Sequence, residues 1–200
     1  MIPDFYYTIE KPATAEFKDR GSKFLAYVYP VHSVEDFKAR LADLKKEHSK
    51  AVHHCFAYRL GIDKNNFRVS DDGEPSGTAG RPILGQIDTK ELTNVVIIVV
   101  RYFGGTLLGV PGLINAYKTS ASLGLQAAVI IQKPVYLNYS LEFNYELMND
   151  VMRIVKQHNC EILKNETQLF CFVEVGIPKN RLPETLEKIK DLRAVNIKAC

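Results

Sequence analysis

No charge of one sign dominates this chain. Lys and Arg outnumber Asp and Glu by 26 to 23 in 200 residues, and the whole excess lies before Pro134. A protein that grips bulk nucleic acid shows a stronger basic bias than this. Cysteine is sparse and scattered: Cys55, Cys160, Cys171 and Cys200 form no CxxC pair and no zinc-like spacing with histidine. They read as reduced thiols, most of them in apolar surroundings, which fits a reducing compartment. The longest aliphatic run is far too short to cross a membrane. Asp4 and Glu10 stand where a signal peptide would have its apolar region. A cytoplasmic protein without membrane contact is the expectation. Nucleotide signatures are missing too, with no GK[ST] of a P-loop and no GxGxxG. The acidic residues do not follow an EF-hand. There is no internal repeat, and nothing calls for a metal or a cofactor.

What is present is enough apolar sequence, 46% of the residues, for one large domain or two small ones. Strands are expected at Tyr6–Ile9, Ala13–Lys18, Ser22–Val31 and His53–Leu60. Ser33 reads as a helix N-cap with Asp36 three residues on, followed by Val34, Phe37, Leu41, Leu44 and His48 at helical spacing. Residues 62–66 form a polar loop. Ser70–Gly80 has turn chemistry. A short helix is expected from Thr78 to Asp88, with Pro82 in its first turn and Ser76 or Thr78 as its cap.

Leu92–Tyr102 is expected to be a strand apolar on both faces, covered on both or deep in a layered fold. A long helix is expected over Pro111–Ile131, its polar face at Asn115, Lys118, Ser122 and Gln126. The best boundary is Lys133-Pro134, giving domains 1–133 and 134–200. The second reads β-α-β-β-α-β: strands Val135–Phe143, Glu161–Asn165, Leu169–Ile177 and Ala194–Lys198, helices after Asn144 and over Pro183–Leu192. That order is the ferredoxin-like one.

Chemistry concentrates in two loops. Arg101-Tyr102-Phe103-Gly104-Gly105 ends the central strand and precedes a helix. Bare N–H groups and a positive helix end there suit an anion. Arg101, Gly104, Gly105 and Lys118 are the candidate anion or nucleic-acid contacts, against the alternative that the glycines only permit a sharp turn and close packing. The other loop carries Ser70, Asp71, Asp72 and Glu74. His53 and His54, on a strand, point to opposite faces. They are candidate cleft residues with that loop. Cys55 shares the face of His53, but nothing orients a Cys–His nucleophilic pair. His32, His48 and His158 sit at element ends and read as surface or capping residues. No catalytic residue is assigned.

Asp19-Arg20-Gly21-Ser22-Lys23-Phe24, His53-His54-Cys55-Phe56-Ala57-Tyr58-Arg59, Ser70 to Gly80 and Val100-Arg101-Tyr102-Phe103-Gly104-Gly105 together resemble the YigZ/IMPACT family over about residues 15–130. The pairing of SDDGEPSGTAG with VVRYFGG is far more specific than one short motif. The two-domain length is similar to that of the bacterial branch.

The resemblance implies an α+β protein. Its N-terminal domain would be of the type shared by small-subunit ribosomal proteins, GHMP kinases and domain IV of elongation factor G. Its C-terminal domain would be ferredoxin-like. Eukaryotic relatives regulate translation by competing for the activator of a kinase that phosphorylates an initiation factor. A non-catalytic, translation-linked regulatory or binding protein is therefore implied, with RNA, a ribosome or a regulatory protein as partner. The GHMP-kinase serine pair is absent from Gly-Gly-Thr-Leu-Leu-Gly, so ATP chemistry is not implied. The enzymatic alternative is a small hydrolase or phosphotransferase built on His53, Asp72 and Arg101.

Overall fold

Strand β6 (Val95–Tyr102) is buried at every residue from Val95 to Arg101, so it needs cover on both faces. The computed structural model describes residues 2–167 and 170–200 and gives it that cover. β6 is the middle of a five-stranded sheet ordered β2 (Ala13–Asp19), β3 (Ser22–Pro30), β6, β4 (His53–Leu60), β5 (Asn66–Ser70). Every pairing is antiparallel.

Helix α1 (Val34–Glu47) packs Phe37 and Leu44 against Phe56, Tyr58, Val96, Ile98 and Val100. Helices α2 (Gly80–Thr89) and α3 (Gly109–Ala127) close the other face. Ile83, Ile87, Tyr117 and Ala121 meet Phe24, Cys55, Ile97 and Val99 there. Each fully buried aliphatic side chain contributes about 1.5–3 kcal/mol. A Cβ on Gly124 would lie 2.8 Å from Val28 Cγ2, so the small-residue side of α3 sets it close on β3.

The capping box at the start of α1 is present: Ser33 Oγ accepts from Asp36 N, and Asp36 Oδ2 accepts from Ser33 N. His48 does cap α1, but its ring also bridges the hydroxyls of Tyr27 and Tyr102 at 2.6 and 2.9 Å. His158 caps α4 (Met148–Gln157) with its backbone, yet its side chain is buried rather than at the surface.

Other expectations need correction. The long helix ends at Ala127 instead of Ile131, because β-branched Ile130 and Ile131 continue as strand β7 (Ile130–Pro134) beside β1 (Phe5–Ile9). β5 occupies residues that showed no strand pattern. It is an edge strand exposed over most of its length, so it lacks the alternation that burial imposes.

The described chain forms two compact units, Tyr6–Lys133 with Ile2, and Pro134–Cys200 with Pro3–Phe5. Pro3–Phe5 group with the second of these units and not with the segment that follows them in the chain. Val135 N donates to Asp4 O at 2.8 Å and Lys179 pairs with the Asp4 carboxylate at 3.0 Å, which ties that segment to the second unit.

The second unit runs β8 (Tyr136–Phe143), a 3-10 turn, α4, β9 (Glu161–Thr167), β10 (Cys171–Pro178), a second 3-10 turn, α5 (Leu182–Asp191) and β11 (Asn196–Ala199). Its sheet order is β11-β8-β10-β9, all antiparallel. Leu169, expected to begin the third of these strands, lies outside the described residues. Val151, Ile154, Val155 and Ile189 cover Leu141, Phe143, Val173 and Val175.

Candidate functional site

Register places the chemistry. Phe24, Arg101 and His53 form one cross-strand row over β3, β6 and β4. Strand alternation sends Arg101, His53 and Cys55 toward α2 and α3, and His54 toward α1.

Arg101 is buried, at 5% exposure. Its Nη1 donates to Glu74 Oε1 at 2.5 Å and its Nη2 to Ser22 Oγ at 3.4 Å. The guanidinium sits against the rings of Phe24 and Phe103, 5.4 and 5.6 Å from their centroids. Nε has no partner. Glu74 Oε1 also accepts from the Tyr117 hydroxyl at 2.7 Å, and no hydrogen bond reaches Glu74 Oε2 among the described residues. Tyr117 in turn accepts from Cys55 Sγ at 3.3 Å, and the same thiol meets Asp71 O at 3.0 Å. Burial pushes both the Cys55 thiol and the Tyr117 phenol well above their ordinary values. Cys55 is thus a neutral donor, not a thiolate nucleophile.

The acidic loop divides its three carboxylates. Asp71 Oδ1 accepts from the N–H groups of Ala79 and Gly80, and Oδ2 from Gly77. It is the N-terminal cap of α2 from eight residues away. The caps expected from Ser76 or Thr78 do not form; the Thr78 hydroxyl donates to Pro75 O. Burial opposes ionisation of Asp71, but the three donors and Arg81 outweigh it and hold its pKa below the ordinary value.

Asp72 and Gly73 both have positive φ, +42° and +92°. The Asp72 side chain lies with α1, its Oδ2 accepting from His54 N at 2.7 Å and its Oδ1 lying 3.7 Å from Lys45 Nζ. Ser70 Oγ accepts from Asp72 N at 3.3 Å. Desolvation lowers the pKa of His54, whose buried Nε2 has no hydrogen-bond partner among the described residues. Asp72 meets His53 through its carbonyl, which accepts from Nδ1 at 2.8 Å. The expected His53–Asp72–Arg101 set is therefore not one constellation. Glu74 takes the place of Asp72, with His53 Nε2 3.8 Å from its Oε1.

Gly104 and Gly105 serve the turn. A Cβ on Gly104 would lie 1.9 Å from the Gly21 carbonyl carbon, and Gly105 has φ +85°. The Gly104 N–H is already given to Ser22 Oγ at 3.2 Å. Lys118 is exposed and does not line the cavity beside Arg101.

That cavity measures about 340 Å³. Val52, Phe103, Leu107 and Val110 form its rim, exposed by 55%, 47%, 81% and 51%. Pro75, Leu108 and Leu113 line it below, and His53, Glu74 and Arg101 are its polar residues. Sequence reasoning found the polar residues. It missed the aliphatic rim and Tyr117, although Leu107-Leu108 beside a glycine turn was a visible signal.

The model of the Impact N-terminal domain family matches residues 20–125. IMPACT family member YigZ of Escherichia coli strain K12 is 31% identical over 182 residues, 90% of this chain and 89% of that protein. Protein IMPACT of Mus musculus is 40% identical over 96 residues, covering 46% of this chain and 30% of its own. A crystal structure described as that of a hypothetical protein shares 29% identity with a TM-score of 0.80, covering 99% of this chain and 98% of the other.

Proposed function

The chain belongs to the IMPACT family, and from that premise we propose that it is a translation-linked regulatory protein that binds a protein partner through the Phe103–Leu107–Val110 cavity. The link to translation comes from the resemblance to the eukaryotic branch. A first domain of the ribosomal-protein and elongation-factor type, over residues 1–133, and a ferredoxin-like second domain, over 134–200, suit that role, as does a cytoplasmic setting.

The observation that carries the choice of partner is the composition of the cavity. Its rim is aliphatic and aromatic, and the arginine that lines it, Arg101, is neutralised by Glu74. A phosphate would find neither a free charge nor a free Gly104 N–H there, whereas an exposed apolar cluster above a few polar groups is what a protein anchor requires.

The test is affinity purification from native lysate, with and without RNase, using wild type, Leu107→Asp and Lys118→Ala. A partner retained after RNase and by Lys118→Ala, but lost by Leu107→Asp, is expected. Loss on RNase treatment, or retention by Leu107→Asp, would overturn the reading.

A further inference from the structure

The five-stranded sheet ends at β2, and that edge is open. Arg20-Gly21 joins β2 to β3, and its φ angles of +44° and +80° are those of a two-residue type I′ turn. Asp19 and Ser22 face each other across it, so they exchange both of their backbone hydrogen bonds. Alternation then fixes the rest of the ladder. Phe17, Ala15 and Ala13 direct N–H and C=O toward β3, while Lys18, Glu16 and Thr14 direct theirs away from it. These last three are exposed, and among the described residues nothing bonds to their outward N–H and C=O groups.

Proteins usually blunt such an edge. β5 and β11 are short, at five and four residues, and β9 loses register opposite Glu174 and Val175. β2 has none of these devices. It runs seven residues in unbroken register and without proline. Its outward positions also carry one acid and one base, Glu16 and Lys18, with Lys18 Nζ 3.0 Å from the Glu16 carboxylate.

Acid and base two residues apart on one face make a strand complementary to its own antiparallel copy. Centred on Phe17, such a pairing sets each Glu16 opposite the Lys18 of the other copy, at positions that bond outward. Phe17 then meets its own copy in the closer, non-hydrogen-bonded kind of pair. Centred on Glu16, the pairing would oppose two carboxylates. Centred on Ala15, it would set Glu16 against Thr14.

We propose that β2 pairs with β2 of a second copy of this chain across a twofold axis at Phe17, joining two five-stranded sheets into one. The contact is isologous and closes at the dimer. It uses neither the cavity nor its rim, so it is independent of the partner reading above. An extended segment of another protein would bond to the same edge but would owe nothing to the order of Glu16 and Lys18. A second copy brings that order with it.

The experiment is sedimentation equilibrium of the full chain from low micromolar to near-millimolar concentration, with far-UV circular dichroism of each variant as the check on folding. Wild type should pass from monomer to dimer. Glu16→Lys places lysine opposite lysine twice and should weaken the dimer about tenfold. Adding Lys18→Glu restores both cross-strand pairs and should return the affinity to within about twofold. Glu16→Pro removes an outward N–H and no bond to β3, a place where an edge strand tolerates proline, and should leave a folded monomer. Leu107→Asp should dimerise as wild type does.

A wild type that stays monomeric at the highest concentration, or a dimer that survives Glu16→Pro, would overturn the proposal. So would a charge-swapped double variant as weak as Glu16→Lys alone, because Glu16 would then not face Lys18 of the other copy.

Discussion

His53 and His54 share a peptide bond but not an environment. His54 lies under α1, buried, held neutral by desolvation, with its backbone N–H tied to the Asp72 carboxylate. His53 lies on the α2–α3 face, where its ring lines an open cavity beside Glu74 and Arg101. The loop opposite repeats the division. Asp72 sends its carboxylate to the first histidine environment and Glu74 to the second, while Asp71 goes to neither and caps α2. One strand period therefore separates groups that hold the fold from groups that can meet a ligand. Proximity in sequence says nothing about which is which.

The largest expected effect tests the floor of the open face. Arg101→Ala leaves Glu74 buried without its cation and should destabilise the protein by about 3–5 kcal/mol, read by urea unfolding. The Arg101→Met, Glu74→Gln double variant should lose less than the two single variants combined, because the pair is coupled. Additive losses would show that the two residues do not form a unit.

Next comes the group assigned to neither face. Asp71→Ala should cost about 1–2 kcal/mol, the upper range for a lost N-cap, with faster amide exchange at Gly77, Ala79 and Gly80. An unchanged exchange rate at those three would contradict the capping role.

A smaller effect separates the two histidines by pH. The folded pKa of His54 lies below the ordinary histidine value of 6.5 because burial penalises the charged ring, so the unfolded chain takes up a proton before the folded one does. Stability from this group is full above about pH 6.5, falls as pH drops below it, and is lost once pH passes the folded value. Asp71, also depressed, adds a second decline below the ordinary aspartate value of 3.8. His54→Phe should flatten the first decline and leave the second. A slope that survives His54→Phe would place the titrating group elsewhere.

The smallest stability effect is expected on the rim. Leu107 is 81% exposed, so Leu107→Asp should change unfolding free energy by less than about 0.5 kcal/mol while removing the partner.

Much of the fold was readable where burial writes a period into the sequence. The double-sided burial of Val95–Val100, the capping box at Ser33 and Asp36, and the opposed faces of His53 and His54 all follow from local rules. β5 escaped notice because an exposed edge strand carries no alternation, and β7 because Ile130 and Ile131 extend the apolar pattern of the helix before them.

At the site, the residues were legible but their pairings were not. Arg101 meets Glu74 across 27 positions, and Tyr117 meets Glu74 across 43. Nothing local distinguishes Glu74 from Asp72 as the partner of that arginine. An arginine after a strand and before a glycine turn looks like an anion contact until a buried carboxylate is found to neutralise it.

The central claim is that the open face binds an apolar anchor rather than a phosphate. It is tested most directly by measuring the affinity of the captured partner as salt is raised from about 50 to about 200 mM, a range over which six to ten phosphate contacts lose about 10³–10⁵ in affinity. The account predicts a change of less than about threefold for wild type. A fall on the order of 10³, relieved by Lys118→Ala and untouched by Leu107→Asp, would contradict it.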